Sequence, residues 1–223
     1  MNETQWIDVD HYISDVLVKS DPALDAALAA SDAAGLPAIS VSPSQGKLLN
    51  ILARAVKARC VLEIGTLGGY STIWLARALP KDGRVISLES NAKHAEVART
   101  NIANAGLSDI VEVRVGQALE TLPLLAADDR GPFDVTFIDA DKQHNPEYFQ
   151  WALTLARPGG LIIIDNVVRN GAVIDAASRD PDIRGVRRLN ELMAAEPRVA
   201  VTAMQTVGIK GYDGIAIALV LSV

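Results

Sequence analysis

Four short apolar runs in this chain each end on a carboxylate, and this pattern narrows the possible folds more than any other feature. The runs are Cys60-Val61-Leu62-Glu63, Val85-Ile86-Ser87-Leu88-Glu89, Val135-Thr136-Phe137-Ile138-Asp139 and Leu161-Ile162-Ile163-Ile164-Asp165. Short, β-branched and bounded by Gly and Pro, they read as parallel strands buried on both faces. In an open α/β sheet, ligands bind at the carboxyl ends of the strands, so the acids are expected along one rim. A crowded or buried carboxylate is costly unless it meets a cation or a hydrogen-bond donor. Acids gathered on one rim therefore imply a site that holds hydroxyls, an amine or a metal ion.

From Cys60 onward, strands are expected at 60–64, 84–89, 110–115, 133–139 and 160–165. Helices are expected between them at 70–79, 91–106, 117–127 and 145–157. Such alternation produces a doubly wound, mostly parallel sheet. Residues 8–34 read as helical, interrupted at Asp21-Pro22, and Ser42-Pro43 opens a further helix whose first turn suits proline. Arg179 to Glu196 reads as a last helix. Val199–Val207 and Gly214–Val220 then read as a closing hairpin, turned at Gly208-Ile209-Lys210-Gly211. The expected fold class is α/β: a seven-stranded, mostly parallel sheet with an antiparallel C-terminal hairpin and extra N-terminal helices. It forms one domain over 1–223, with a helical cap at about 1–41.

Charge and composition narrow the function. A net charge of −6, from 21 basic and 27 acidic residues, argues against a nucleic-acid footprint built on bulk positive charge. No apolar stretch approaches the ~20 residues that span a bilayer. Met1 to Asp10 carries acids and lacks the basic-then-apolar order of a signal peptide. A cytoplasmic protein with no membrane partner is expected. The single cysteine, Cys60, opens a buried strand and reads as inert packing.

The turn Glu63-Ile64-Gly65-Thr66-Leu67-Gly68-Gly69-Tyr70-Ser71 joins the first strand to its helix. Glycines allow the tight turn and close approach of a ligand. The dinucleotide fingerprint requires G-x-G-x-x-G, and here Leu67 stands at its second glycine. Glu63 would repel a pyrophosphate and attract an ammonium. Glu89, at the end of the second strand, suits ribose hydroxyls. Ribose plus amine without phosphate describes S-adenosylmethionine.

The fourth strand leads into Asp139-Ala140-Asp141-Lys142 and the fifth into Asp165-Asn166. Adjacent strands lie ~4.8 Å apart, so Asp139 and Asp165 are placed to share an ion, with Asn166 as a neutral third ligand. An all-oxygen set suits Mg2+, Mn2+ or Ca2+ and not zinc. Beside a cation the ammonium form of Lys142 is disfavoured, which fits it for a general base.

With these motifs in order, the chain resembles the cation-dependent class I S-adenosylmethionine O-methyltransferases. That group includes catechol and caffeoyl-coenzyme A O-methyltransferases and small bacterial members. The resemblance runs from about Ser42 to Val220. It is carried by Leu62 to Ser71, Leu88-Glu89, Phe137 to Lys142, Asp165-Asn166 with Gly171, and Tyr212-Asp213-Gly214. It implies a Rossmann-like methyltransferase fold, a homodimer and a phenolic small-molecule acceptor of catechol type. It implies that Asp139, Asp165 and Asn166 ligate the metal, and that Lys142 is catalytic together with Asp139. Glu63, Gly65, Thr66, Gly69, Ser71, Glu89, Ala118 and Asp139 would hold S-adenosylmethionine, with Asp141 near its amine. Two departures stand out. Val167-Val168-Arg169-Asn170-Gly171 puts Arg169 where the plant acyl-thioester enzymes have an aromatic wall. Residues 199–210 lack the acid with which catechol enzymes orient the second hydroxyl, and Asp213, in a tight turn, reads as structural.

Three rival functions share parts of this pattern. A tRNA hydroxyuridine O-methyltransferase keeps the donor, but the negative net charge and the lack of clustered Lys and Arg oppose it. An NAD-dependent oxidoreductase shares Glu89 but leaves Asp139, Asp165 and Asn166 without a role. A binding protein without transfer leaves Lys142 unexplained. Trp74 and Trp151 read as core, His144 as a loop or helix-cap residue, and His11 and His94 as surface residues.

Overall fold

In the computed structural model, residues 3–19, 21–128 and 130–222 are described. Strand and helix alternate from Cys60 as the apolar runs require. The parallel strands are β1 (Cys60–Ile64), β2 (Arg84–Glu89), β3 (Val111–Val115), β4 (Phe133–Ile138) and β5 (Ala156–Asp165). β6 (Val199–Gly208) and β7 (Gly211–Val220) form the antiparallel hairpin. The helices are α1 (Glu3–Leu17), α2 (Pro22–Ala33), α3 (Pro43–Ala55), α4 (Tyr70–Ala76), α5 (Ala92–Asn104), α6 (Ala118–Ala127), α7 (Asn145–Leu155) and α8 (Pro181–Ala195). No helix among the described residues is long and apolar enough to cross a membrane.

The sheet order is β3-β2-β1-β4-β5-β7-β6, with β7 antiparallel to β5. Alternation along the strands splits the core into two layers. Leu62, Ile64, Ile138, Ile162 and Ile164 join one cluster with Phe149, Val186 and Leu189. Val61, Val135, Phe137 and Ile163 join the other with Leu24, Leu49, Ile73 and Ala98. The order reverses between β1 and β4, which opens a crevice at their carboxyl ends. The pairings Ile64↔Leu88, Ile64↔Ile138 and Ile138↔Ile164 then put Glu63, Glu89, Asp139 and Asp165 along one rim.

Some boundaries differ from the sequence expectation for identifiable reasons. α7 ends at Leu155 rather than 157, because the residue before Pro158 is driven out of the helical region. The extended stretch lengthens β5, so that Ala156 pairs with Phe133. The hairpin tip is tighter than a four-residue turn. Gly208 pairs with Gly211 and only Ile209-Lys210 form the loop. The first helix begins at Glu3 rather than residue 8. Ser42 caps α3 in a capping box with Gln45, as Ser42-Pro43 anticipates.

Candidate active site

A cavity of about 490 Å³ opens at the carboxyl ends of β1 and β4. Gly65, Thr66, Ser71, Glu89, Ala118, Asp139, Asp141, Lys142 and Asn166 all line it. At the floor, Gly65 has φ +101°, and a Cβ there would stand 2.1 Å from the Asp139 carbonyl oxygen. Only glycine lets the β1 and β4 loops touch in this way.

Glu89 organises the glycine turn. Its Oε2 accepts the backbone N–H of Leu67 at 2.8 Å and of Thr66 at 3.2 Å, and its Oε1 accepts that of Asn91 at 2.9 Å. His94, expected at the surface, instead lines the cavity with its Nδ1 3.7 Å from Glu89. It was missed because a helical context does not say which face meets the rim.

Glu63 and Gly69, expected against the donor, stand behind the cavity wall. Glu63 is fully buried. Its carboxylate accepts the hydroxyls of Ser71 (2.6 Å), Ser87 (2.6 Å) and Thr72. Burial nevertheless pushes its carboxyl up to about 7 against those three donors. It reaches the cavity through Ser71, whose hydroxyl it fixes. Gly69 is the N-cap of α4 at φ +82°, where a Cβ would press on Ala98 at 3.3 Å. Its role is to fit α4 against α5.

At the other end, a short 3-10 helix over Lys142–His144 follows the β4 loop. Lys142 is buried and its Nζ donates to Asp139 Oδ1 at 2.7 Å. Asp165 is 4% exposed. Burial, and next the charge of Asp139, push its carboxyl up to about 7 while the Lys142 charge opposes them. Its Oδ1 accepts the Asn166 N–H at 2.9 Å and the Gln45 side-chain N–H at 3.4 Å. Two neighbouring carboxylates of which one is nearly sealed from water are stabilised by a cation. Two carboxylates with the Asn166 amide form a hard-oxygen set that fits Mg2+, Mn2+ or Ca2+.

Asp141 is tied to Tyr148, whose hydroxyl donates to Oδ1 at 2.6 Å, and to His144 Nδ1. Burial pushes the Asp141 carboxyl up, but these bonds outweigh it and hold it below the usual range. Burial and Asp141 together push the Tyr148 phenol upward. Arg169 lines the cavity with its Nη2 3.2 Å from Asp182. Asp213 proves structural: its Oδ1 accepts three backbone N–H groups, from Val168 (3.0 Å), Arg169 (2.9 Å) and Gly214 (2.9 Å). Trp74 is core, half-buried Trp151 packs against the core, and His11 is exposed. The places of Tyr148, Gln45 and Asp182 at the site carried no sequence signal, and α8, though expected as a helix, gave no sign that it lies beside the site, since each is delivered by packing between remote segments. α8 lies so close to the 3-10 turn at Lys142–His144 that a Cβ on Gly185 would stand 2.2 Å from the Lys142 carbonyl oxygen.

Comparison with known proteins agrees with this geometry. A family model described as O-methyltransferase matches residues 19–221. The chain is 54% identical over 220 residues to a catechol O-methyltransferase of Niastella koreensis, covering 99% of this chain and 100% of that one. It is 58% identical over 213 residues to a catechol O-methyltransferase of Mycobacterium tuberculosis, covering 96% and 95%. Among solved structures, an O-methyltransferase from Bacillus cereus in complex with SAH superposes with a TM-score of 0.97 at 57% identity, over 98% of this chain and all of that one.

Proposed function

Since the chain belongs to the O-methyltransferase family, we propose that it moves the methyl group of S-adenosylmethionine to a hydroxyl of a catechol-type phenol, with a divalent cation at Asp139, Asp165 and Asn166. The buried Asp165 carboxyl beside Asp139, raised by burial and by its neighbour's charge, is the observation that carries this reading. SAH, the product that S-adenosylmethionine leaves after methyl transfer, is bound by the Bacillus cereus relative.

When bound, the cation would supply positive charge that lowers the pKa of an acceptor hydroxyl. The protein's own residues do the rest. Lys142 is held at the rim by its 2.7 Å bond to Asp139; in its free-amine form, with a cation taking over Asp139, it would take the proton from the acceptor hydroxyl and become the ammonium. Ser71, oriented by Glu63, and Asp141, oriented by Tyr148, face the donor's amine. Glu89 faces its ribose, and the walls at Gly116 to Ala118 close the same end. Because the methyl donor is already reactive, alignment of donor and acceptor across the β1–β4 crevice supplies much of the acceleration.

The test is methyl transfer to a panel of phenols with Mg2+ and with a chelator. Chelator-sensitive methylation of vicinal diols, absent with monophenols, is expected. Transfer that survives full metal removal, or that ignores the second hydroxyl, refutes the metal-chelate mechanism.

We also propose a homodimer. α1 buries no residue and leaves Tyr12 67% and Leu17 69% exposed, beside the edge strand β6 with Met204 and Val207 half open. Apolar area of this kind is characteristic of an interface. A monomeric mass in solution at micromolar concentration excludes it.

A further inference from the structure

A second cavity, about 210 Å³, lies between α1, the start of α3 and the tip of the β6–β7 hairpin, and is lined in part by Asp10, Ser42, Gln45, Thr206 and Lys210. Gln45 connects it to the metal end, because its side-chain N–H reaches Asp165 Oδ1 at 3.4 Å. Lys210 connects it to the main cavity. Its Nζ donates to the Ala38 carbonyl at 3.1 Å, and the next three residues, Ile39 to Val41, line the main cavity.

The cations at this end of the site differ in their commitments. Lys142 is bound to Asp139 and Arg169 to Asp182. Lys210 holds only a neutral carbonyl and, among the described residues, makes no ion pair. Its ammonium nonetheless lies within the field of Asp139 and Asp165, whose charges support it against the burial that lowers its pKa. The one carboxylate lining the second cavity, Asp10, faces elsewhere. Its Oδ2 accepts the Ile209 N–H at 3.0 Å and its Oδ1 the Ser44 hydroxyl at 3.4 Å, which staples the hairpin tip to α1 and α3.

We propose that Lys210 is a specificity-determining residue that selects acceptors carrying a carboxylate, by pairing its ammonium with that group while the vicinal diol sits at Asp139, Asp165 and Asn166. The inference rests on the vicinal-diol reading above. A carboxylate on the ring, or on a short side chain, exchanges the Ala38 carbonyl for a charge-assisted bond, and the N-terminal end of α3 adds partial positive charge in the same cavity. A neutral catechol has nothing to offer Lys210. An ammonium-bearing catechol meets repulsion there.

The experiment measures kcat and KM with S-adenosylmethionine and Mg2+ for 3,4-dihydroxybenzoate, catechol and dopamine. The proteins are wild type, Lys210→Gln, Lys210→Arg and Asp10→Asn. The expected result is that wild type prefers the benzoate, and that Lys210→Gln lowers the benzoate-to-catechol ratio of kcat/KM by about tenfold. The loss is expected in KM, and Lys210→Arg restores the ratio. Titration of 3,4-dihydroxybenzoate into protein loaded with S-adenosylhomocysteine and Mg2+ should show the same order in Kd. An unchanged ratio overturns the proposal, as does an equal loss with catechol. A wild-type preference for dopamine that Asp10→Asn removes also overturns it. If wild type methylates catechol, the parent reading stands and the ratio alone judges Lys210. If it methylates none of the three, the vicinal-diol reading has failed and the inference falls with it.

Discussion

Glu63 gives the ligand-free protein a pH dependence that Glu63→Gln removes. Its carboxyl titrates at about 7 in the folded chain against a reference of 4.5, with burial as the first cause. The unfolded chain therefore releases this proton first. The stabilisation from the neutral form is complete below the unfolded value and is lost as pH rises through about 7. At about 1.4 kcal/mol per unit, the full excursion is roughly 3.4 kcal/mol. About 2 kcal/mol of it falls between about pH 5.5 and about pH 8.5, because the unfolded group is already mostly ionised at the lower value. For a domain of this size the loss corresponds to a Tm lower by roughly 4–8 °C at the higher pH. The Glu63→Gln side chain keeps the shape and loses the charge, and the hydroxyls of Thr72 and Ser87 are able to turn and accept from its amide. The assay is calorimetric unfolding of both proteins at the two pH values, at fixed ionic strength, without donor and with a chelator present. Asp165, also raised to about 7, contributes the same slope to both proteins, so their difference isolates Glu63. Parallel Tm-against-pH curves for wild type and Glu63→Gln would refute the reasoning.

Three further perturbations probe the site. Lys142→Met should lower kcat by about a hundredfold or more while the donor's Kd, measured by calorimetry, moves little; near-normal turnover removes Lys142 from proton transfer. Gly185→Ala places a Cβ 2.2 Å from the Lys142 carbonyl oxygen and 2.6 Å from Gln143 Cα, so α8 and the turn that carries Lys142 must move apart. Turnover should fall more than donor affinity, and an unaffected kcat would show that the turn does not depend on α8. Asp213→Ala strips one acceptor from three backbone N–H groups. It should cost about 3 kcal/mol of unfolding free energy, read by denaturant titration, whereas Asp213→Asn, which keeps an acceptor oxygen, should recover most of that loss.

The rim of acids was legible because it depends only on where strands stop. Glu63, Glu89, Asp139 and Asp165 each follow an apolar run, and parallel order brings strand ends together whatever the side chains do. Local chemistry made other features readable as well: the helix start at Ser42-Pro43, the break at Asp21-Pro22 and the hairpin glycines. The early end of α7 is local in origin too, since proline acts on the residue before it. Pro158 turns the helix's expected last residues into the start of β5.

Depth and cross-chain contact were the illegible part. A carboxylate at a strand end is equally consistent with a ligand contact and with a buried anchor. For Glu63 the decision lies with hydroxyls on α4 and β2 that meet only after folding. Gln45 and Asp165 are 120 residues apart, and Lys210 and Ala38 are 172 apart, so no local pattern announces either contact. The division follows the chemistry. The acids proposed to face the donor and the cation, Glu89, Asp139 and Asp165, sit at strand ends, where the sheet's register fixes them. Lys210, proposed to meet the variable end of the acceptor, sits at the hairpin tip, where a substitution such as Lys210→Gln leaves the sheet untouched. On the proposed reading, acceptor choice is therefore free to change without disturbing methyl transfer, because Lys210 stands apart from the strand ends that carry the acids.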